Sequence, residues 1–146
     1  MRIDAFLQES PMFAVSRAAR RFDSLAAQAL AADSLGFLEG LVLAAIFFDE
    51  PSLATPSQLA ETFGTTRGNV SHCISSLEAK GFLQRTIDPD DARSYHLSLK
   101  PQGKKTALRV IRAFDKLQAA FEKEVGKAAL REALATIRKL EAMARK

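Results

Sequence analysis

Between Thr65 and Ser75 the chain reads TTRGNVSHCIS, a stretch of short hydrogen-bonding side chains with no carboxylate before Glu78. On a helix, Val70, Cys73, Ile74 and Leu77 fall at 3–4 spacing and gather on one side. Gly68, Ser71, His72 and Ser75 lie towards the other side, flanked by Asn69 and Ser76. A solvated helix face usually carries mixed charges. A helix that enters the major groove of DNA needs slim side chains that pair with base edges and phosphates. Thr65, Thr66, Arg67, Asn69, Ser71, His72 and Ser75 are therefore candidate DNA contacts. The competing reading is a helical hairpin with a polar outer face.

Such a helix must be presented by a partner helix and a turn. Thr55-Pro56-Ser57-Gln58 reads as a capping box with proline at the first helical position. Leu59, Ala60 and Phe63 give that helix its apolar stripe, and Gly64 ends it where a positive φ costs little. Small Ala60 at the helix crossing, Gly64 in the turn and Val70 into the core fit a helix-turn-helix. After Gly81 the period changes. Residues 82–87 and 94–99 are strand-like runs around a polar, turn-rich Asp88-Pro89-Asp90-Asp91-Ala92-Arg93. A hairpin in this place makes a wing, and a wing arginine can read a narrow minor groove. Arg93 is the candidate, with Asp91 placed to brace its guanidinium. The alternative is a solvated arginine in a polar loop.

Helices flank this core. Ser10-Pro11 opens one that continues to about Ala32, with Val15, Ala18, Phe22, Leu25 and Ala29 stepping 3, 4, 3, 4. That seam fits a coiled-coil-like contact or an ordinary amphipathic helix. Ser34 is a candidate cap for a mostly apolar helix from Leu35 to about Asp49, which Glu50-Pro51 ends. Lys100-Pro101 opens a long helix through about Val125, and a break near Gly126 precedes a last helix bearing Leu130, Leu134, Ile137 and Leu140. Such stripes need a second surface, and another copy of the chain would supply it.

From about Leu41 to Gly103 the sequence resembles the MarR family of bacterial transcriptional regulators. The most specific part is LEAKGFLQRTIDPDDARSYHLSLKPQG, residues 77–103. It is similar to the family's leucine, lysine-glycine, apolar pair and arginine before a DPxDxR wing. Asp88, Pro89, Asp91, Arg93, Leu97, Leu99 and Gly103 match in order, and Arg85, the arginine ahead of the wing, joins the candidate DNA contacts. Lys100 departs from the family's helix-capping threonine, and the segment before Leu35 matches only in being helical.

The resemblance implies a mainly α fold with a small β-hairpin, a winged helix-turn-helix core flanked by N- and C-terminal dimerisation helices. Its expected divisions are residues 1–34 for the N-terminal dimerisation helix, 35–100 for the DNA-binding region and 101–146 for the C-terminal dimerisation helices. It implies a homodimer on an approximately palindromic double-stranded DNA operator, acting as repressor or activator. A small-molecule effector would sit in a crevice between dimerisation helices and winged helix. Phe22, Phe37, Phe47 or Phe114 would wall it, unless each is plain core. A winged-helix module for protein–protein contact is the rival function. The carboxylate-free outer face argues against it, because an interface would display tyrosine, methionine or leucine there.

Other classes find little support. The chain has 146 residues, 47% apolar and 26% charged, with no apolar run long enough for a bilayer and no basic leader before an apolar stretch. One cysteine excludes an internal disulfide, so a reducing cytoplasm is expected. Cys73 falls on the apolar stripe, which favours core packing over oxidant sensing. The net charge of +4 is uneven, at −4 over residues 1–64, +3 over 65–105 and +5 over 106–146. That balance suits a polyanionic partner without singling out one helix. No catalytic spacing, phosphate loop or metal-ligand set is present, and neither enzyme activity, cofactor nor metal is expected.

Overall fold

The computed structural model describes residues 2–49, 55–90 and 95–145. The chain divides into two compact units, Met1–Val110 and Ile111–Lys146. In the first lie α1 (Arg2–Gln8), α2 (Pro11–Ala29), a 3₁₀ turn (Ala31–Asp33), α3 (Phe37–Phe48), α4 (Pro56–Phe63) and α5 (Arg67–Ala79). The hairpin β1 (Leu83–Ile87) and β2 (Tyr95–Leu99) follows, and then α6 (Pro101–Val125), which runs on into the second unit ahead of α7 (Lys127–Ala144). This is a mainly helical winged helix-turn-helix.

The expected caps close α2 and α4. Ser10 Oγ accepts from the Phe13 amide at 3.2 Å. Thr55 Oγ1 accepts from the Gln58 amide at 3.2 Å while Gln58 Oε1 accepts from the Thr55 amide at 2.8 Å. Gly64 then turns the chain with φ 67. The stripe of α5 is the centre of the core: Val70, Ile74 and Leu77 are 0% exposed. Around it pack Val42, Leu43 and Ile46 of α3, Leu59 and Ala60 of α4, and Leu83, Leu97 and Leu99 of the hairpin. Burying each such aliphatic side chain contributes about 1.5–3 kcal/mol. The strands pair antiparallel, Leu83 with Leu99, Arg85 with Leu97 and Ile87 with Tyr95. The face that carries Leu83 and Leu97 is core at its base and becomes Arg85 and Tyr95 further out.

Two expectations need correction, and one helix was not singled out from the sequence. A short helix, α1, precedes Ser10. The second helix stops at Ala29 rather than near Ala32, because buried Leu30 breaks into the 3₁₀ turn. Ser34 does not cap α3. It adopts a left-handed φ of 55 and closes the 3₁₀ turn, and buried Leu35 then holds the chain so that Gly36 becomes the cap. Glu39 supplies half of a capping box by accepting the Gly36 amide at 3.2 Å, since glycine has no side chain to return the bond. The expected strand end at Ser94 lies outside the described residues, as do Glu50 and Pro51.

Two contacts seat the start of α6. The Lys100 amide donates to the Phe82 carbonyl at 2.9 Å, and Gly103 lies against that same carbonyl. Further along the helix Arg109 makes a two-pronged ion pair with Asp33, Nη2 to Oδ1 at 2.7 Å and Nε to Oδ2 at 3.2 Å. The pair holds the Arg109 pKa above its ordinary value, chiefly through the hydrogen bond to Asp33. In the second unit, Gly126 takes φ 93 between α6 and α7. Leu134, Ile137 and Leu140 are 37–45% exposed, and α7 has no buried residue.

Candidate nucleic-acid interface

The outward side of α5 is built from its first turn. Thr66 Oγ1 accepts from the Asn69 amide at 3.1 Å, and Asn69 Nδ2 donates to Thr65 Oγ1 at 3.0 Å. These bonds satisfy the helix start and leave the Asn69 side-chain carbonyl as an acceptor. Thr66, Arg67, Gly68, Asn69, His72 and Ser75 are exposed, while Thr65 and Ser71 are half-buried. The face is free of carboxylates, and a helix N-terminus adds partial positive charge.

The far end of the helix is held from behind. Glu39 Oε2 accepts from Ser76 Oγ at 2.9 Å and from Lys80 Nζ at 3.1 Å, and Lys80 also donates to the Ser34 carbonyl at 3.0 Å. Burial pushes the Glu39 carboxyl up. The Gly36 amide, the Lys80 and Ser76 hydrogen bonds and the Lys80 charge outweigh that effect, and the net shift is below the ordinary glutamate value. Nearby Cys73 is 8% exposed. Its thiol pKa is raised by burial and by the Glu39 carboxylate, against an opposing pull from Lys80. A thiol of this kind is a small core side chain and a poor nucleophile.

Arg85 stands on β1 with its guanidinium turned back to α5. Its Nη2 donates to Ser75 Oγ at 2.8 Å, its Nε lies 3.4 Å from Glu78 Oε1, and its Cζ is 5.3 Å from the centre of the Tyr95 ring. Two sequence candidates, Ser75 and Arg85, are thus bonded to each other. Further along, Asp88 Oδ1 accepts from the Asp90 amide at 2.9 Å, and Asp88 Oδ2 lies 3.7 Å from His96 Nε2. Asp91 and Arg93 lie outside the described residues. Glu39, Glu78, Lys80 and Tyr95, which hold the helix and hairpin, were not among the sequence candidates. A signal for Glu78 was present in its seven-residue separation from Arg85. Glu39 is 41 residues from Lys80, and no local pattern links them.

Two open grooves run along α2. One of about 690 Å³ is lined by Arg17, Arg20, Arg21, Phe22, Leu25 and Gln28. The other, about 660 Å³, runs between α1 and α2 past Leu7, Phe13 and Arg17. Of the phenylalanines named as effector walls, Phe22 lines the first groove, Phe37 and Phe47 line neither, and Phe114 belongs to the second unit. No group of three or more metal-ligating side chains occurs among the described residues. No described helix is long and apolar enough to cross a membrane.

The family model described as "MarR family" matches residues 45–95, from the end of α3 through the helix-turn-helix to the start of β2. Over those residues, about a third of the chain, it is similar to the MarR family. Among curated proteins, the chain is 28% identical over 87 residues to the HTH-type transcriptional regulator PrsX of Escherichia coli, covering 60% of the chain and 52% of the relative. It is 30% identical over 63 residues to the HTH-type transcriptional regulator PapX of Escherichia coli, covering 43% and 38%. The matches thus span about half or less of those relatives' length. Among solved structures, the S. aureus MepR–DNA complex aligns with TM-score 0.82 at 17% identity over 94% of this chain and 99% of that one. PcaV from Streptomyces coelicolor, in complex with its natural ligand, aligns with TM-score 0.82 at 20% identity over 95% and 96%. These structures share the fold.

Proposed function

We propose that this chain is a member of the MarR family and a dimeric, sequence-specific DNA-binding regulator of transcription, acting in the cytoplasm by binding rather than catalysis. The observation that carries the reading is the division of α5 into two sides. Val70, Ile74 and Leu77 are fully buried, while Arg67, Asn69, His72 and Ser75 are exposed on a carboxylate-free face. In this reading α5 enters the major groove. Thr65, Thr66 and Arg67 meet phosphates at the helix start, and Ser71, His72 and Ser75 meet base edges or phosphates. Arg93, braced by Asp91, enters the neighbouring minor groove from the wing. The names of the two Escherichia coli relatives and the DNA complex of MepR support the reading.

Dimerisation is assigned to residues 1–34 and 101–146, with 35–100 reading the DNA. Exposed Phe6, Met12, Val15 and Phe22 on α1 and α2, and Leu134, Ile137 and Leu140 on α7, support that assignment. Two α5 helices then lie about one helical turn of DNA apart, roughly 34–36 Å, on an approximate palindrome. The regulator is a repressor released by a small-molecule effector, a part of the proposal supported by the ligand complex of PcaV.

The test is selection of genomic fragments by the purified protein, followed by binding isotherms at two salt concentrations with and without candidate ligands. The expected result is one enriched near-palindrome, bound as a dimer and weakened by salt. Retention of no particular sequence would overturn the reading in favour of a protein-contact role.

A further inference from the structure

Ser75 is the last outward candidate on α5, and its hydroxyl is already engaged. Its oxygen accepts the Arg85 Nη2 hydrogen at 2.8 Å. A hydroxyl carries one hydrogen and two lone pairs, so a charged donor on one lone pair steers the hydrogen away from the guanidinium. Arg85 is fixed at this post from several directions. Its backbone amide donates to Glu78 Oε2 at 3.3 Å, its Cζ stands 5.3 Å over the Tyr95 ring, and its cross-strand partner Leu97 is fully buried. Among the described residues its buried Nε meets no aligned acceptor, although Glu78 Oε1 lies 3.4 Å away. Among the described residues the aligned side-chain bond of the guanidinium is therefore the one to Ser75.

We propose that Arg85 is a positioning residue acting through Ser75, fixing the hydroxyl as a hydrogen-bond donor to an acceptor atom of the DNA, and is not itself a DNA contact. This rests on the DNA-reading role proposed above. The recognised chemistry is a lone pair on the major-groove side of the duplex, either a purine N7 or a phosphate oxygen. Arg85 thereby links the wing strand to the reading helix.

The test uses the full chain and its selected operator with Ser75→Ala, Ser75→Thr, Arg85→Lys, Arg85→Met and the Ser75→Ala/Arg85→Lys pair. The operator is scanned with 7-deazapurines, which lack N7, and with methylphosphonates, which lack the charged phosphate oxygen. Ser75→Ala and Arg85→Lys should each weaken binding about threefold to tenfold, and the pair should be no worse than either alone. One atomic substitution in each half-site should cost affinity in the wild type and Ser75→Thr but not in Ser75→Ala or Arg85→Lys. Its type tells base from phosphate. The salt dependence of Arg85→Met should equal that of the wild type. Additive losses, or a salt slope shallower by about one in Arg85→Met, would show Arg85 touching DNA and overturn the positioning role. Wild-type protein that selects no sequence would overturn the DNA reading instead. Unfolding the same single and paired variants without DNA tests the bond independently of that reading. Coupling between Ser75 and Arg85 is expected there, and its absence would overturn the inference.

Discussion

A Cβ placed on Gly103 would stand 1.7 Å from the Phe82 carbonyl oxygen and 2.7 Å from its carbon. Backbone, not a flexible side chain, fills the space, and that carbonyl is also bonded to the Lys100 amide. Gly103→Ala must push α6 away from the chain entering β1. The expected loss is about 3 kcal/mol or more, measured by denaturant unfolding. Gly68→Ala is the control: its nearest neighbour is Thr66 Oγ1 at 3.9 Å, and alanine there should stabilise the helix by about 0.5–1 kcal/mol. Equal stabilities for the two variants would refute the close approach.

Glu39 should contribute to the acid sensitivity of the first unit. Its pKa in the folded protein is lowered, so its contribution to stability is present above the ordinary glutamate range and is lost as pH falls through the lowered value. Glu39→Gln should cost about 1–2 kcal/mol at neutral pH. The gap to wild type should close on acidification below the ordinary glutamate range. A gap that stays constant down the acid limb would contradict this account.

Cys73 should behave as packing. Cys73→Ser replaces a buried thiol with a hydroxyl and should cost on the order of 1 kcal/mol or more. Peroxide should leave DNA binding of wild type and variant alike. Release of the wild type alone by peroxide would make Cys73 a sensor.

The apolar stripe of α7 should hold two copies together. Leu134→Glu with Ile137→Glu places charge on residues that are 45% and 42% exposed in one chain. Sedimentation at micromolar concentration should show wild-type dimers and largely monomeric variant. Wild type that sediments as a folded monomer would exclude the dimer.

Wing and helix should separate in their effects on DNA. Arg93→Ala should weaken binding by about 1–3 kcal/mol and reduce the preference for flanking A·T steps. Substitutions at Ser71 or His72 should instead change which half-site sequence is preferred. Isotherms on the selected operator and on a variant with G·C flanks make the comparison. Unchanged affinity of Arg93→Ala on both would remove the minor-groove role.

Local chemistry was the part of this fold that the sequence displayed. The Thr55–Gln58 box, the Gly64 turn, the α5 stripe and the break at Gly126 each involve neighbours within a few positions, and each is found where the residues suggested. The start of α3 was misplaced because burial of Leu35 and the hydrogen bond from Lys80 to the Ser34 carbonyl come from distant chain. Helix α1 spans under two turns, too short for Ile3, Phe6 and Leu7 to form a clear period. For the candidate site, helical periodicity separated the outward side chains of α5 from the core. It held no information on which of them are engaged, and the Arg85–Ser75 bond depends on hairpin register.

The Glu39 carboxylate takes donors from Gly36, Ser76 and Lys80, which registers the end of α5 against the start of α3. Neither Glu39 nor Lys80 belongs to the outward face, yet together they set the roll of that face about the helix axis. On the proposed DNA-reading role, operator preference would therefore shift without any change among the outward residues. A Glu39→Asp change, one methylene shorter, alters the angle at which an unchanged set of side chains is offered. On that proposal the carboxylate would tune reading from behind the helix.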